Sequence, residues 1–367
     1  MPDKFPSDAV FEGGGVRGIG LLGALAVMER TWRWENVAGT SAGAIVAAFT
    51  AAGMNALEVR KVLDAIDLRE LQDEAWEEKV DRVLAVPSVI NLVSQGGVSF
   101  LRSHLFSLFK DFGVYEGERF IELLEEHLPP GIRTFGDVRY HGPDADDPRY
   151  RYRLRVIASD ITARRMLVLP QDIEYFGLDP DKLRIAEALR MSMSLPIFFE
   201  PYKLEDKQGK THHIVDGGIL SNYPIWLFDA PEGTDPAWPT FGFNMMEATD
   251  EGDGLEPFPE NVMEIRTLPA FAMAIWNTLF SALDKRYISK RHWARTLGID
   301  DTGVKTTDFD ITSERKDGLW RSGEDTAVKF MTDWGDPHAG FAAWKLAYRG
   351  EVVEAQRMAQ SRGMKLA

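Results

Sequence analysis

One short stretch of the chain, GTSAG at residues 39–43, has the G-x-S-x-G spacing that places a serine on a tight turn between a strand and a helix. Small neighbours let the backbone bend there and let a substrate approach Ser41. The N–H of Ala42 would open the helix, where the helix dipole favours negative charge. The pattern also occurs by chance in glycine-rich chains, but with a strand before it and a helix after it, it predicts nucleophilic attack by Ser41.

A second motif, FEGGGVRGIG at residues 11–20, is a glycine loop that suits either of two anions. Its glycines have the G-x-G-x-x-G spacing with which dinucleotide-binding folds hold a pyrophosphate. Such folds also need an acidic residue at the end of the second strand, whereas Glu35 lies at the start of that strand pattern. An oxyanion loop beside Ser41 explains both motifs together, and an NAD(P) site explains only the glycine loop.

The third motif is VDGGILSNYP, in which Asp216 follows a strand pattern and precedes two glycines. Asp-Gly is a common turn, and this is the simpler interpretation. The functional interpretation is a carboxylate at a strand end that faces the same pocket as Ser41. His212 and His213 precede it on the same strand pattern with side chains on opposite faces, so either is an alternative base.

Composition excludes several classes of function. The chain has 367 residues, a hydrophobic fraction of 44%, a net charge of −15 and no cysteine. The acidic balance argues against nucleic-acid binding, which needs a basic surface. No group of side chains has metal-ligand spacing, so no metal and no cofactor are predicted. With no signal peptide or membrane-spanning run visible, we expect a cytoplasmic protein, in solution or peripheral to a membrane, and export by a route without a signal peptide stays open.

Strand and helix patterns alternate along the chain, which predicts an α/β fold with a mostly parallel sheet covered on both faces. The first two motifs each read as strand, glycine turn and helix. YRYRLRVIASD reads as a strand with a solvated or salt-bridged arginine face, IAEALRMSMSLP as a helix that stops before Pro196, and HHIVDGG as a strand entering a turn.

In this order, GGGVRG, GTSAG and DGG resemble the patatin-like phospholipase family. The likeness extends to ASDITAR, SMSLPIFFEP and DGGILSNYP. It implies a three-layer α/β/α sandwich for residues 1–335, with VKTTDFDIT as a late strand followed by a helix. We expect residues 336–367 to form a C-terminal helical extension of the same body.

The resemblance also implies chemistry: a lipid acyl hydrolase of the phospholipase A, lysophospholipase or esterase type, acting on phospholipid or other lipid esters. Ser41 would be the nucleophile of a Ser-Asp dyad with Asp216, and an acyl-enzyme the intermediate. The expected oxyanion hole comprises Gly13, Gly14, Gly15, Arg17, Gly18 and Ala42. Arg17 has an alternative role, pairing with an acidic neighbour. A non-catalytic lipid-binding or regulatory module on the same fold is the alternative function.

A final segment, residues 268–295, has apolar side chains at helical spacing, among them Trp276, and a basic cluster that includes Lys290 and Arg291. This composition suits a helix that lies in a membrane interface. A helix packed in the core, with cations near its C-terminus, has the same stripe. Both interpretations stay open.

Overall fold

The protein is described here by a computed structural model that covers residues 4–65, 113–115, 117–142, 150–231, 234–246, 290–304, 306, 308 and 310–347. The strands are β1 Phe5–Phe11, β2 Trp32–Thr40, β3 Gly113–Tyr115, β4 Leu154–Asp160, β5 Arg165–Leu169, β6 Ile197–Phe199, β7 Tyr202–Glu205, β8 Thr211–Asp216, β9 Thr240–Met246 and β10 Thr296–Asp300. The α-helices are α1 Gly18–Met28, α2 Ala42–Ala51, α3 Ala56–Ala65, α4 Glu118–His127, α5 Ile185–Ser192, α6 Lys290–Trp293 and α7 Ser313–Trp334. A further helix runs from residue 337 to at least 347.

The central sheet has the strand order β10-β9-β1-β2-β4-β8-β7, with β5 paired to β4. The five strands from β10 to β4 are mutually parallel, while β8, β7 and β5 add antiparallel pairs on one side. Strand β4 is buried at every residue, as expected for a strand covered on both faces. The predicted α/β fold with a mostly parallel central sheet is confirmed.

The two faces of the sheet are covered differently. Ala9 and Phe11 of β1 face the main core, to which α1, α2, α3, α5 and α7 contribute. Val10, between them, faces a second cluster closed by Tyr223 and the 3₁₀ helix Ile225–Phe228. This alternation follows from the two-residue period of a strand and produces the three layers of an α/β/α sandwich.

Helices α1 and α7 cross with almost no side chain between them. A Cβ on Gly323 of α7 would lie 2.1 Å from the Gly20 carbonyl oxygen, and one on Gly23 of α1 would lie 2.0 Å from the Trp320 carbonyl oxygen. Only hydrogen at these positions lets the helix backbones approach so closely. Through this crossing, α7, which lies late in the chain, packs against α1, the helix that follows the glycine loop.

Two details of the sequence interpretation are wrong. No described residue of VKTTDFDIT lies in a strand; the late strand is β10, which ends four residues earlier. The arginine face before β4 is also not simply solvated. Arg155 is only 4% exposed, and Arg153 donates hydrogen bonds to the carbonyls of Trp34, Glu35 and Ala51. Alternation alone does not distinguish such buried guanidiniums from surface ones.

Across the described part of the chain, every helix is too short or too polar to cross a lipid bilayer.

Candidate active site

Ser41 lies on the turn that joins β2 to α2, in a conformation that few non-glycine residues adopt. Its φ is 52° and its ψ is −127°, and α2 begins at the next residue. Such strained geometry persists only when the surroundings enforce it, and it is the geometry of a nucleophile elbow. The side chain is 4% exposed, so the hydroxyl lies in a largely enclosed site.

The two glycines of GTSAG are required by close backbone contacts. A Cβ on Gly39 would lie 2.3 Å from the Gly43 carbonyl oxygen, which shows how tightly the turn folds back on itself. A Cβ on Gly43 would lie 2.3 Å from the Glu12 carbonyl oxygen and 2.4 Å from that of Phe11. Gly43 therefore brings the start of α2 against the end of β1, where the glycine loop begins.

Asp216 ends β8 and is fully buried. Burial raises the pKa of its carboxyl group to about 7, although the hydrogen bond from the Gly218 N–H and the nearby Ser41 hydroxyl act in the opposite direction. The Gly218 N–H donates to Oδ1 at 2.8 Å, while Oδ2 has no hydrogen-bond partner among the described residues. A carboxyl group with this pKa is a much stronger base than an ordinary aspartate.

Strand β4 lies between the two residues and sets their separation. Its Ile157 pairs with Thr40, the residue before Ser41, and its Ala158 pairs with Asp216. Ser41 and Asp216 therefore reach toward each other across one strand. A Cβ on Gly217 would lie 2.3 Å from the Ile157 carbonyl oxygen, so the first glycine of DGG lets the chain turn against β4.

The Ser41 hydroxyl is close enough to Asp216 to lower its pKa, but it does not point at the carboxyl group in this structure. The Ser41 hydroxyl instead donates a hydrogen bond to Met193 Sδ at 3.3 Å. This bond is the resting geometry, since Asp216 Oδ2 has no hydrogen-bond partner among the described residues. Rotation of one side-chain bond would move the hydroxyl proton from a weak sulfur acceptor toward the carboxylate.

The glycine loop lies directly against the serine turn. A Cβ on Gly13 would lie 3.1 Å from Ser41 Cβ and 2.3 Å from Asn222 Oδ1. Gly15 has a φ of 55°, and its Cα faces the Thr306 carbonyl oxygen. Among the described residues, nothing accepts a hydrogen bond from the N–H groups of Gly14 and Gly15. Free N–H groups beside a nucleophile can bind a developing oxyanion.

The other expected oxyanion residues lie near the same junction. Gly18 opens α1, where an added Cβ would make ordinary contact, 3.7 Å from Ala42 Cβ. The Ala42 N–H lies in the first turn of α2, whose N–H groups have no partner inside the helix. The Gly18 N–H already donates to the Gly15 carbonyl, so of these two positions only Ala42 suits a donor toward the space around Ser41.

Arg17 forms a buried ion pair rather than a free positive charge. Its Nη1 lies 3.2 Å from Asp301 Oδ2, with exposed side-chain fractions of 11% and 7%. Its Nε also donates to the Gly14 carbonyl at 3.4 Å. Of the two roles considered for Arg17, the structure shows the pairing with an acidic neighbour, which braces the loop through the segment after β10.

Two residues that the sequence analysis did not single out hold the glycine loop from the other side. Asn222 Nδ2 donates to Glu12 Oε1 and to the Gly13 carbonyl, both at 3.0 Å. Glu12 Oε2 accepts from the Met245 N–H at 2.6 Å. The sequence carried a signal for Glu12, because it is an acidic residue between a buried strand and a glycine run. A carboxylate in such a place needs hydrogen-bond donors from within the protein.

The two candidate histidines are bonded to residues other than Ser41 and Asp216. His212 is 3% exposed, and its ring nitrogens contact Asp160 at 2.6 Å and Asp206 at 3.3 Å. His213 Nδ1 lies 3.4 Å from the Thr162 hydroxyl. Four residues of extended strand separate His212 from Asp216, about 13 Å. Neither ring is in reach of Ser41, and within the described residues no cluster of three acidic or histidine side chains could hold a metal ion.

Most of the expected membrane segment, including Trp276, lies outside the described residues. The structure resumes at α6, which contains Lys290 and Arg291. Arg295, at the end of the basic cluster, is 1% exposed and pairs with Asp229. That arginine is part of the interior and is not available to a lipid surface.

Comparison with known proteins gives the following. The sequence model of the patatin-like phospholipase family matches residues 9–229. An uncharacterized protein of Bacillus subtilis, YqhO, is 34% identical over 332 residues, 89% of this chain and 98% of that protein. An uncharacterized mimivirus protein, R571, is 22% identical over 317 residues, 85% of this chain and 89% of that protein.

Two solved structures are similar to this chain. VipD from Legionella pneumophila has a TM-score of 0.48 at 19% identity, covering 91% of this chain and 67% of that one. The type III effector ExoU of Pseudomonas aeruginosa has a TM-score of 0.41 at 16% identity, covering 97% of this chain and 62% of that one. The family match spans more than half of the chain and includes the serine turn, the glycine loop and Asp216. The chain belongs to the patatin-like phospholipase family.

Proposed function

We propose that this protein is a serine lipid acyl hydrolase that acts through a dyad of Ser41 and Asp216. Membership of the family supports lipid acyl hydrolysis in general. The observation that carries the dyad is a strained serine beside a buried carboxyl group whose Oδ2 has no hydrogen-bond partner in the described part of the chain and whose pKa is about 7. A buried, unpartnered carboxylate oxygen destabilises the fold, so a catalytic use accounts for its presence.

The reaction begins when the Ser41 hydroxyl leaves Met193 and gives its proton to Asp216 Oδ2. Ser41 Oγ attacks the ester carbonyl carbon, and the tetrahedral oxyanion collapses as the proton passes from Asp216 to the departing alcohol. Water, deprotonated by Asp216, then cleaves the acyl-enzyme and restores Ser41. No metal takes part, so EDTA should leave hydrolysis of a water-soluble ester unchanged.

In this proposal the oxyanion is held by backbone N–H groups. Gly14 and Gly15 supply unpartnered donors on one side, and Ala42 supplies one at the N-terminus of α2. One such donor contributes about 3 kcal/mol of transition-state stabilisation in other hydrolases. Arg17 acts through Asp301 to keep the loop in place and does not contact the substrate.

The dyad is tested by Ser41→Ala and Asp216→Asn, each of which should abolish hydrolysis of a short-chain ester and leave the melting temperature near or above that of the wild type. His213→Ala and His212→Ala are the matched controls. Both should keep most of the turnover, and His212→Ala should lower stability because it removes the ring that contacts Oδ2 of Asp160 and Oδ2 of Asp206. Turnover near the wild-type value in either dyad variant would contradict the proposal.

A non-catalytic lipid-binding module is the alternative. Binding alone does not need a strained serine beside an unpartnered carboxyl group, so the site favours the hydrolase. Residues 336–367 belong to the same body in our proposal, supported by Trp344, which is 6% exposed and lies 5.4 Å from the Arg295 guanidinium. The cytoplasmic or membrane-peripheral location stays a prediction.

We propose further that residues 268–291 form the membrane contact, on the sequence pattern alone. Trp276→Ala combined with Lys290→Glu and Arg291→Glu should weaken liposome binding and phospholipid cleavage, while hydrolysis of a soluble ester survives. Arg295 is left unchanged because its ion pair is buried. Equal loss on both substrates, with a lower melting temperature, would show that the segment packs in the core.

A further inference from the structure

Residues 192–194, where α5 ends, contact both members of the proposed dyad. Ser192 Oγ accepts a hydrogen bond from the Ser41 N–H at 2.9 Å, and Met193 Sδ accepts from the Ser41 hydroxyl at 3.3 Å. The Ser194 carbonyl accepts from the Asp216 N–H at 2.9 Å. Three consecutive residues thus hold the nucleophile by its backbone and side chain, and the base by its backbone.

The Ser192 hydroxyl is fixed by a second hydrogen bond. It is fully buried and donates its proton to the Ile157 carbonyl at 2.6 Å. Because a serine hydroxyl has one proton, donation to Ile157 leaves only lone pairs for the Ser41 N–H. Ile157 lies on β4, the strand that separates Ser41 from Asp216. The hydroxyl therefore ties the serine turn to the strand against which the base is also placed.

This bond matters because Ser41 is held in an unfavourable backbone conformation, with a φ of 52°. A strained residue relaxes unless neighbouring groups over-determine its position. The bond also occupies the N–H of the nucleophile itself. The oxyanion then has to be held by the Ala42 N–H and the glycine loop, in agreement with the free donors found there.

We propose that Ser192 is a positioning residue: its hydroxyl locks the Ser41 backbone in the orientation from which the Ser41 side chain can turn from Met193 to Asp216. This inference rests on the proposed function, since it assigns Ser192 a role in the reaction of that dyad. Ser192 does not touch substrate and transfers no proton in the reaction.

The test is Ser192→Ala, assayed with a soluble ester and with a fluorophosphonate probe that labels the nucleophilic serine. A misplacement of about 1 Å lowers a rate about a hundredfold, so kcat and the first-order labelling rate should fall by about that factor. KM and the probe concentration for half-maximal rate should change less than about twofold. Final labelling should still reach one probe per chain, which shows that the variant is folded.

Ser7→Ala is the matched control. Ser7 is also fully buried and donates one hydrogen bond, to the Arg33 carbonyl at 3.3 Å, at the opposite end of β1 from the glycine loop. The Ser7→Ala variant should be less stable than the wild type but should keep the wild-type labelling rate. Equal slowing in both variants would show a general effect of removing a buried hydroxyl and would overturn the inference.

Ser192→Cys covers the case in which the alanine variant does not fold. Its thiol keeps the volume but is a weak donor and acceptor, so labelling per folded chain should again be slower than in the wild type. A folded cysteine or alanine variant with wild-type kcat would overturn the inference, even with Ser41→Ala inactive. If Ser41→Ala keeps its activity, the proposed function fails instead, whatever the Ser192 variants do.

Discussion

A single carboxyl group illustrates how local environment decides chemistry at the residue scale. Asp216 and Asp160 both lie on strands of the same sheet, and both are fully buried. Asp160 is satisfied by the Thr162 and Ala163 N–H groups and by His212, whereas one oxygen of Asp216 is unpartnered. The difference in hydrogen bonding makes one aspartate a structural anchor and the other a candidate base.

The raised pKa of Asp216 predicts how activity depends on pH. Asp216 must be ionised to accept the Ser41 proton, and burial raises its pKa to about 7. The value of kcat/KM, which reports the free enzyme, should therefore rise tenfold per pH unit below about 7 and level off above it. Initial rates on a soluble ester between pH 5 and 9 measure this. A plateau that already begins near pH 5 would show an ordinary carboxylate and contradict the assignment.

At the element scale, the helices that carry the site are positioned by backbone contacts through glycine. Gly43 packs the start of α2 on the end of β1, and Gly23 of α1 and Gly323 of α7 let those two helices pack together. The glycine loop enters α1 directly, so the crossing with α7 restrains the loop from behind. Substitution at these glycines should disturb the site without changing a catalytic side chain.

Two glycines of α7 provide a test within one helix. Gly323→Ala would place a Cβ 2.1 Å from the Gly20 carbonyl oxygen, so we expect a loss of about 1–3 kcal/mol in unfolding free energy. Gly318→Ala meets nothing within 4 Å and should gain about 0.5–1 kcal/mol, because alanine favours the helix. Denaturant unfolding measures both. Equal effects of the same sign would mean that the helices do not cross as described.

At the scale of the whole molecule, a second buried carboxyl group affects stability instead of catalysis. Asp8 of β1 is 1% exposed and accepts hydrogen bonds from the Asn36 backbone N–H and side-chain amide. Burial raises its pKa to about 7. The folded protein therefore keeps this proton between about pH 4 and 7, where the unfolded chain loses it, and stability falls as the pH rises through that range.

Asp8→Asn should remove the contribution of Asp8 to this dependence and leave that of Asp216, whose pKa is raised over the same range. The amide oxygen of the variant can still accept from Asn36. Near pH 4 the variant should have the melting temperature of the wild type. At pH 8 its unfolding free energy should exceed that of the wild type by up to about 4 kcal/mol, and its melting temperature should be higher. Asp333→Asn, an exposed change on α7, is the control and should shift neither value. A variant that is less stable at pH 8 would show that the ionised carboxylate stabilises the fold.

The sequence by itself determined the class of fold and the positions proposed to react. Glycine spacing around Ser41 and before α1 reflects local steric needs, and the strand, turn and helix around each motif follow from short-range periodicity. The pairing of the glycine loop with the serine turn was predictable for the same reason, since adjacent parallel strands bring their carboxyl ends together.

Only the tertiary structure decided which groups support that site. Ser192, Asn222 and Asp301 lie far along the chain from the residues they hold, and nothing in their local sequence shows the contact. The buried arginines before β4 and the late strand β10 were misjudged for the same reason. Burial and hydrogen-bond partners are properties of the packed chain, and those properties set the pKa of Asp216 and the strain at Ser41.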